Sequence, residues 1–501
     1  MKTPTMQARV PVLDEVPVGP RSSRIGPLLF AITGALSVII IVLLLAFPLT
    51  REATGLLVIL LTVILLLTGI PIAFAMSLSA LLGLWKLGGW VMVDATFTEN
   101  VFSSTASWSL SVLPMFILMG IALWRSGLTT GAYEAARQWL GKLPGGLAVG
   151  TNFAGAGLAA ASGSTVGISY ALGRVAIPEM MKAGYKPSLA TGTVAMAGTL
   201  GQLIPPSIML VIYAGVVQTP VGPQLIAAVV PGLIIMLAFA GLIVVRAALD
   251  PALAPRADLS DVTWPSRWKS VLSTLPVLVV VLIVIGGLFA GVFTPSEAGA
   301  FGALGAILLG WLFGGNHARS PKGLATFVML SLKDAVIATA AIFLLMIAVN
   351  LLTRVLALSR VPHALTELVV DMGLDRIQFL LILVIVFLIL GMFLDPLAMI
   401  LLTVPVLVPP LLALEVDMLW FGVFIVILAE IGIVTPPIGI LTFIVHRLAQ
   451  DANVNLGVPI SLTDVFKGVL WFVGAALLVL VALIFLPELV TWLPELSAQR
   501  P

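Results

Sequence analysis

Polar interruptions in a very apolar chain mark where chemistry could take place. The first is Ser162-Gly163-Ser164-Thr165, three hydroxyls and a glycine in a row. Hydroxyl oxygens and freed backbone carbonyls are the ligands a hard cation prefers. The same residues also suit a Ser/Gly turn that lets helices pack closely. Further on, Gly198-Thr199-Leu200-Gly201 runs into Ile204-Pro205-Pro206. Two prolines remove two backbone donors and leave carbonyls without helical partners. The other half of the chain carries Gly391-Met392-Phe393-Leu394-Asp395-Pro396, then Glu430-Ile431-Gly432-Ile433-Val434-Thr435-Pro436-Pro437. An ionisable group at membrane depth is costly and marks a functional site by default. Asp395 therefore reads as a carboxylate that holds a cation or positions substrate, set against the plainer role of capping an Asp-Pro turn. Glu430 reads equally as an ion-pathway carboxylate or as a polar residue packed between helices. Arg174 reads as a side chain reaching for the membrane surface.

Other chemistries find little support. There is no cysteine, which removes disulfides, thiol catalysis and cysteine-ligated metals. His317, His363 and His446 show no ligand spacing. No G-x-x-x-x-G-K-[ST] loop occurs, so ATP hydrolysis by this chain is not expected. Gly163-Ser164-Thr165-Val166-Gly167 puts threonine where a nucleophile elbow needs serine. No enzyme is expected.

The elements that must position these residues are membrane helices. Of 501 residues, 60% are hydrophobic and 10% charged, with mean hydropathy +1.18. An ordinary soluble domain is about 45–50% apolar and about 25% charged, and a disordered chain needs low hydrophobicity. A net charge of +2 offers nucleic acid no footing. What remains is a polytopic protein embedded in a lipid bilayer. Residues 1–26 read as a polar tail, and 27–50 as an uncleaved anchor helix long enough to span. Apolar segments follow at 55–85, 108–124, 146–172, 189–217, 224–245, 270–292, 297–314, 335–357, 377–414, 418–445 and 465–487. Several are broken, as at Gly69-Ile70-Pro71, and lipid tolerates a broken backbone only where it is buried in protein or lines a cavity.

Positive charge orients the chain. Take the N-terminus as inside, and 146–187 and 377–416 as re-entrant hairpins. All 25 basic residues then fall inside except Arg51, Lys86, Arg354, Arg360, Arg376 and Arg500. That bias is the one that sets orientation. Sliding the chain by 231 residues aligns Ser164 with Asp395, Pro178 with Pro409, Gly201 with Gly432, and Pro205-Pro206 with Pro436-Pro437. One copy enters from inside and the other from outside, the inverted repeat of many secondary transporters. A stretch with helical polar spacing precedes each hairpin, at 130–140 and 362–372, and fits a helix lying in the membrane interface.

These motifs resemble the large membrane subunit of tripartite ATP-independent periplasmic (TRAP) transporters, the DctM type. The resemblance rests on Ala161-Ser162-Gly163-Ser164-Thr165, Ile177-Pro178-Glu179-Met180, Gly198-Thr199-Leu200-Gly201 and Ile204-Pro205-Pro206-Ser207. It continues in Phe293-Thr294-Pro295-Ser296-Glu297-Ala298-Gly299, Met399-Ile400-Leu401-Leu402-Thr403-Val404-Pro405 and Thr435-Pro436-Pro437-Ile438-Gly439, covering about 55–490. It implies an all-α, inverted-repeat, elevator-type fold with two re-entrant hairpins and two broken helices, plus one extra N-terminal helix. It also implies a Na+-coupled importer of an organic acid such as a C4-dicarboxylate, a sialic acid or a sulfonate. The implied partners are a small DctQ-type membrane subunit and a DctP-type periplasmic substrate-binding protein.

By the same resemblance, sodium falls to Ser162, Gly163, Ser164, Thr165, Gly198, Gly201 and Pro205 in the first half. In the second it falls to Gly391, Asp395, Gly432, Thr435 and Pro436. Substrate is expected between the tips, against Ser164, Thr165, Thr199, Pro206, Asp395 and Pro437. The transport domain is expected at 146–220 and 377–446, and scaffold helices and arms at 51–145 and 221–376, with a C-terminal scaffold helix at 447–501. The location implied is the bacterial inner membrane, N-terminus cytoplasmic and C-terminus periplasmic. Ala429 and Asp395-Pro396 depart from the commonest family wording, and residues 1–50 are additional to it. A stand-alone symporter of the same superfamily and a non-transporting scaffold subunit are the competing readings.

Overall fold

The computed structural model describes residues 25–498 apart from 107–109, 257–259, 261 and 315–319. The expected tail at 1–26 lies, as far as residue 24, outside the described residues, as do His317 and Arg500. The described residues form helices joined by turns, with no strand.

Helix α1 (Ile25–Ala46) leads through Thr50 to α2 (Arg51–Leu67). Thr50 caps α2 by accepting the Ala53 N–H at 3.2 Å. The segment at 55–85 resolves into a hairpin of α2 and α3 (Ile72–Thr105), with Gly69–Pro71 as its turn. Val58 faces Gly83 across it, and Lys86 Nζ donates to Phe47 O at 2.6 Å. Pro71 cannot extend α2, because it has no N–H to bond back. Helix α3 continues past Gly89, where the backbone is non-helical, into a stretch with no assignment from sequence.

Helix α4 (Val112–Arg125) and α5 (Gly131–Leu140) precede a hairpin of α6 (Gly146–Ser162) and α7 (Thr165–Lys182). A broken pair follows, α8 (Pro187–Leu203) and α9 (Ile208–Val217), bent by 43°. Then come α10 (Val221–Ala227), α11 (Val229–Leu249), α12 (Trp264–Phe289), α13 (Pro295–Phe313) and the long α14 (Pro321–Ser359). The second set is α15 (Val361–Asp371), the hairpin α16 (Arg376–Gly391) with α17 (Pro396–Ala413), and the broken pair α18 (Met418–Gly432) with α19 (Ile440–Leu448). Helices α20 (Ala452–Asn455), α21 (Leu462–Phe485) and α22 (Glu488–Ala498) close the chain.

Moved along by 231 residues, α5 to α9 fall on α15 to α19 with every end agreeing within two residues. The broken pairs run in opposite senses. Near the end of α9, Tyr213 Oη donates to Met418 O at the start of α18, at 2.8 Å. Conversely, Leu448 at the end of α19 lies on Gly173 of α7, and α19 packs on α8. The fold is thus an all-helical inverted repeat with two hairpins, two broken helices and one added N-terminal helix.

By length and composition, seven helices among the described residues can cross a bilayer, or eight with α8–α9 counted as one span. Helix α17 is one of the seven, although its place in the repeat makes it the returning arm of a hairpin. Large apolar side chains left exposed along α1, α12 and α14, such as Val38, Leu282 and Val336, suit contact with lipid.

The helices pack as follows. Helix α3 packs on α14, and α4 on α13 and α14, where Arg125 Nε donates to Asp334 Oδ2 at 2.9 Å. The region 447–501 is three helices rather than one, because Pro487 stops α21. Helix α21 lies on α8, not on the α3–α14 group: a Cβ on Gly468 would stand 1.9 Å from Ser188 O. Helix α11, expected with the scaffold, packs on α6, α8 and α21, and Asn152 Nδ2 of α6 donates to Met236 O at 2.8 Å. Helix α22 turns back, its Ser497 Oγ donating to Phe289 O at the end of α12.

Candidate functional site

The first hairpin tip is built by two opposite backbone demands. Gly163 ends α6 with φ at 57°, a left-handed conformation natural to glycine. Ser164 is extended and caps α7, accepting the Gly167 N–H at 3.2 Å. At the second tip Asp395 does the same for α17: its Oδ1 accepts the Leu397 and Ala398 N–H groups at 2.9 and 3.2 Å. The plainer capping role of Asp395 is therefore real, and its other carboxylate oxygen is not used by the cap.

The broken helices press on these tips through glycine. A Cβ on Gly198 of α8 would stand 1.8 Å from Ser169 Oγ and 2.9 Å from Thr165 O. One on Gly201 would stand 3.3 Å from the Ser164 carbonyl carbon. Gly163 faces Pro206 O and Ile208 at the start of α9. In the second half a Cβ on Gly391 would lie 2.5 Å from Gly432 Cα, so the end of α16 touches the end of α18 backbone to backbone.

The structure thus brings together Gly163, Ser164, Thr165, Gly198, Gly201 and Pro206 in one cluster, and Gly391 with Gly432 in another. Ser162 closes α6 beside the first cluster. Pro205 is buried in the first break, and both Pro205-Pro206 and Pro436-Pro437 are cis. Thr199 Oγ1 donates to Met196 O at 2.7 Å, and Thr435 Oγ1 to Ile431 O at 2.6 Å. Both are bonds within their own helix. Pro436 is half-buried and Pro437 exposed.

One contact crosses between the repeats at this place. Thr165 Oγ1 donates to the Glu430 carboxylate, 3.0 Å from Oε1 and 2.9 Å from Oε2. Both residues are buried. Glu430 belongs to the second repeat but serves the first tip, so a reading confined to each repeat leaves it outside the site. Ser169, one helical turn beyond Thr165, was also missed; its Oγ is buried without a hydrogen-bond partner among the described residues. Its spacing of four from Thr165 was the available signal.

The weaker candidates stand apart. The Arg174 guanidinium lies 5.0 Å from the Tyr170 ring centroid on an exposed face of α7. His363 pairs with Glu367 on α15, 3.3 Å apart. No group of three or more His, Asp or Glu suited to a metal occurs among the described residues.

The two breaks offer oxygen ligands. Thr165, Thr199 and Thr435 each give their hydroxyl proton to an acceptor and keep oxygen lone pairs for a cation. Ser164 accepts one N–H and has a second lone pair free. Oxygen ligands beside a buried carboxylate, with helix N-termini pointing in, suit both a small cation and an anionic group.

The chain is similar to known proteins over most of its length. The family model of the tripartite ATP-independent periplasmic transporter DctM component matches residues 58–489. The chain is 30% identical to the C4-dicarboxylate TRAP transporter large permease protein DctM of Vibrio cholerae, over 86% of this chain and 95% of that protein. It is 33% identical to the protein of the same name in Pseudomonas aeruginosa, over 80% and 88%. With the ectoine TRAP transporter large permease protein TeaC of Halomonas elongata the identity is 29%, over 86% and 97%. In fold it is similar to the YdaH transporter of Alcanivorax borkumensis, with a TM-score of 0.55 and 14% identity over 79% of this chain and 88% of that one. The matching permeases are transport proteins rather than enzymes. On the family match over most of its length, this multi-pass membrane chain belongs to the DctM family, the large permease subunits of TRAP transporters.

Proposed function

We propose that this chain is the membrane permease of a sodium-driven importer of an organic acid. A small membrane subunit would brace it, and a periplasmic binding protein would deliver the substrate. Sodium is cargo here, carried inward with the substrate. The observation that supports this best is the pair of capped hairpin tips related by an inverted repeat, the first of them bonded through Thr165 to Glu430 of the other repeat's broken helix. Ser164, Thr165, Gly198, Gly201 and Pro205 would serve one sodium, with Ser162 and Gly163 shaping the tip. Gly391, Asp395, Gly432, Thr435 and Pro436 would serve another. Substrate carboxylate would lie between the tips, near Thr199, Pro206 and Pro437, facing the N-termini of α7 and α17. Each sodium entering across 100 mV gains about 2.3 kcal/mol, so two support substantial accumulation.

The packing supports an elevator movement. Helices α6–α11 and α16–α21 form one bundle that slides as an elevator against α1–α5 and α12–α15. The bundle includes α21 because Gly192 and Gly468 meet backbone to backbone, and α11 because it packs on α6, α8 and α21. The inner membrane, with N-terminus cytoplasmic and C-terminus periplasmic, fits the bias of basic residues. Relatives that take a C4-dicarboxylate and ectoine share this permease type, so substrate choice falls largely to the soluble partner.

The test is uptake into proteoliposomes holding this chain with its small subunit and binding protein, using the ligand that co-purifies with that protein. Uptake should require an inward sodium gradient. Uptake indifferent to sodium contradicts the coupling, and uptake by this chain alone contradicts the tripartite assembly.

A further inference from the structure

Away from the tips, the start of α8, the end of α11 and the start of α21 enclose an open cleft of about 530 Å³. Three cations line it, Lys186, Arg246 and Lys467, against one carboxylate, Asp250. Lys186 Nζ lies 3.0 Å from Asp250 Oδ2, Asp250 also faces Arg246 and Asp464 faces Lys467, so the cations outnumber the carboxylates by one. Asp464, in the turn before Lys467, spends its Oδ2 on the Ser461 N–H and Oγ, at 2.9 and 2.6 Å. The Arg246 guanidinium stacks 4.5 Å from the centroid of the Trp471 ring, which is itself 56% exposed. Beside the cleft, Leu470 and Leu249 are exposed, Leu249 at 82%.

Such a surface asks for two chemistries at once. Cations that outnumber the carboxylates between helices, one of them a fork-shaped guanidinium, suit a phosphodiester. A half-exposed indole and bare leucines suit acyl chains and the headgroup boundary, where tryptophan is enriched. All three cations belong to the face that the charge bias places at the cytoplasm. A soluble phosphate would use the cations but gain nothing from Trp471, Leu470 and Leu249. We propose that this cleft is a binding site for the phosphodiester headgroup of an anionic phospholipid, its acyl chains lying along α11 and α21. Basic pockets between helices on this side of a membrane recognise such headgroups. The site is carried by the hairpin bundle and not by the α3–α14 group; resting on the elevator reading proposed above, the lipid would travel with the bundle.

The experiment is native mass spectrometry of the purified full-length chain with its membrane partner. Phosphatidylglycerol, phosphatidylethanolamine and inorganic phosphate are added in separate arms. The wild type should retain phosphatidylglycerol well above phosphatidylethanolamine, and millimolar phosphate should not displace it. Removing two charges by Arg246→Gln with Lys467→Gln should lower retention roughly thirtyfold. Lys467→Gln alone should give an intermediate loss, and Lys269→Gln, an exposed cation outside the cleft, should change nothing. Equal retention by the double variant and the wild type overturns the site. Equal retention of the two lipids, or displacement by inorganic phosphate, overturns the lipid assignment.

Discussion

The two hairpin tips occupy equivalent positions but are chemically unequal. In the first repeat the tip cap is Ser164 and the residue before the break is Thr199; 231 residues later these positions hold Asp395 and Glu430. Both carboxylates therefore lie in the second repeat. Folding redistributes them. Asp395 stays at its own tip as a cap, whereas Glu430 reaches the other tip and accepts from Thr165. Each tip ends with one carboxylate, a balance visible only once the repeats interlock. An unpaired charge in such a place is costly, and one monovalent cation per tip would neutralise it.

Charge removal should break this symmetry most. Glu430→Gln keeps an acceptor for Thr165 but removes the charge at the first tip, and should weaken sodium affinity roughly a hundredfold. Asp395→Asn keeps the cap, since Asn and Asp cap about equally well, and should weaken the other site similarly without loss of thermal stability. Radiolabelled sodium binding to the purified protein checks both. Asp395→Ala should in addition lose about 1 kcal/mol of stability with the cap.

Filling the glycine contacts sharpens the comparison. Gly391→Ala meets backbone and has no side chain to displace, so it should cost about 1–3 kcal/mol in thermal unfolding. Gly198→Ala first meets Ser169 Oγ, so part of its cost should return in the double variant with Ser169→Ala. A smaller contrast lies in the hydroxyls. Thr165→Val leaves Glu430 without its donor and should cost about 1–3 kcal/mol, whereas Thr435→Val removes a bond within one helix and should cost about 1 kcal/mol or less. Denaturation midpoints distinguish them.

The smallest effect is expected outside the tips. The Lys186 ammonium beside Asp250 holds its carboxyl below the usual carboxylate range. A depressed carboxyl contributes stability that is present above its unfolded value and lost as pH falls through its folded value. Asp250→Asn should therefore flatten the acid limb of the stability curve slightly and leave stability at pH 7 almost unchanged, because the pair is exposed. Thermal unfolding at stepped pH checks this.

Much of the fold is legible in sequence because its punctuation is local. Ser164, Ser207, Asp395 and Asp417 are extended residues that cap helices through their own side chains, and cap residues are strongly typed. The Pro205-Pro206 and Pro436-Pro437 pairs interrupt their helices, whereas Pro409-Pro410 is carried inside α17. The 231-residue register follows from such marks, and α5 and α15 form where helical spacing places them. What sequence left obscure depends on contacts across the chain. Nothing near Glu430 announces Thr165 as its partner, and nothing in 447–501 announces that Gly468 seats on α8. The basic cleft gathers residues from three helices whose adjacency only packing decides.

The central claim is that two sodium ions bind at tips each balanced by one carboxylate. Thermal unfolding of the purified protein, in sodium chloride against potassium chloride at equal ionic strength, tests it without knowing the substrate. A ligand that binds only the folded state stabilises it in proportion to the logarithm of its excess. Tm should rise with sodium and not with potassium, and Glu430→Gln and Asp395→Asn should each remove about half of the slope. Equal shifts in the two salts, or slopes untouched by either variant, would contradict the account.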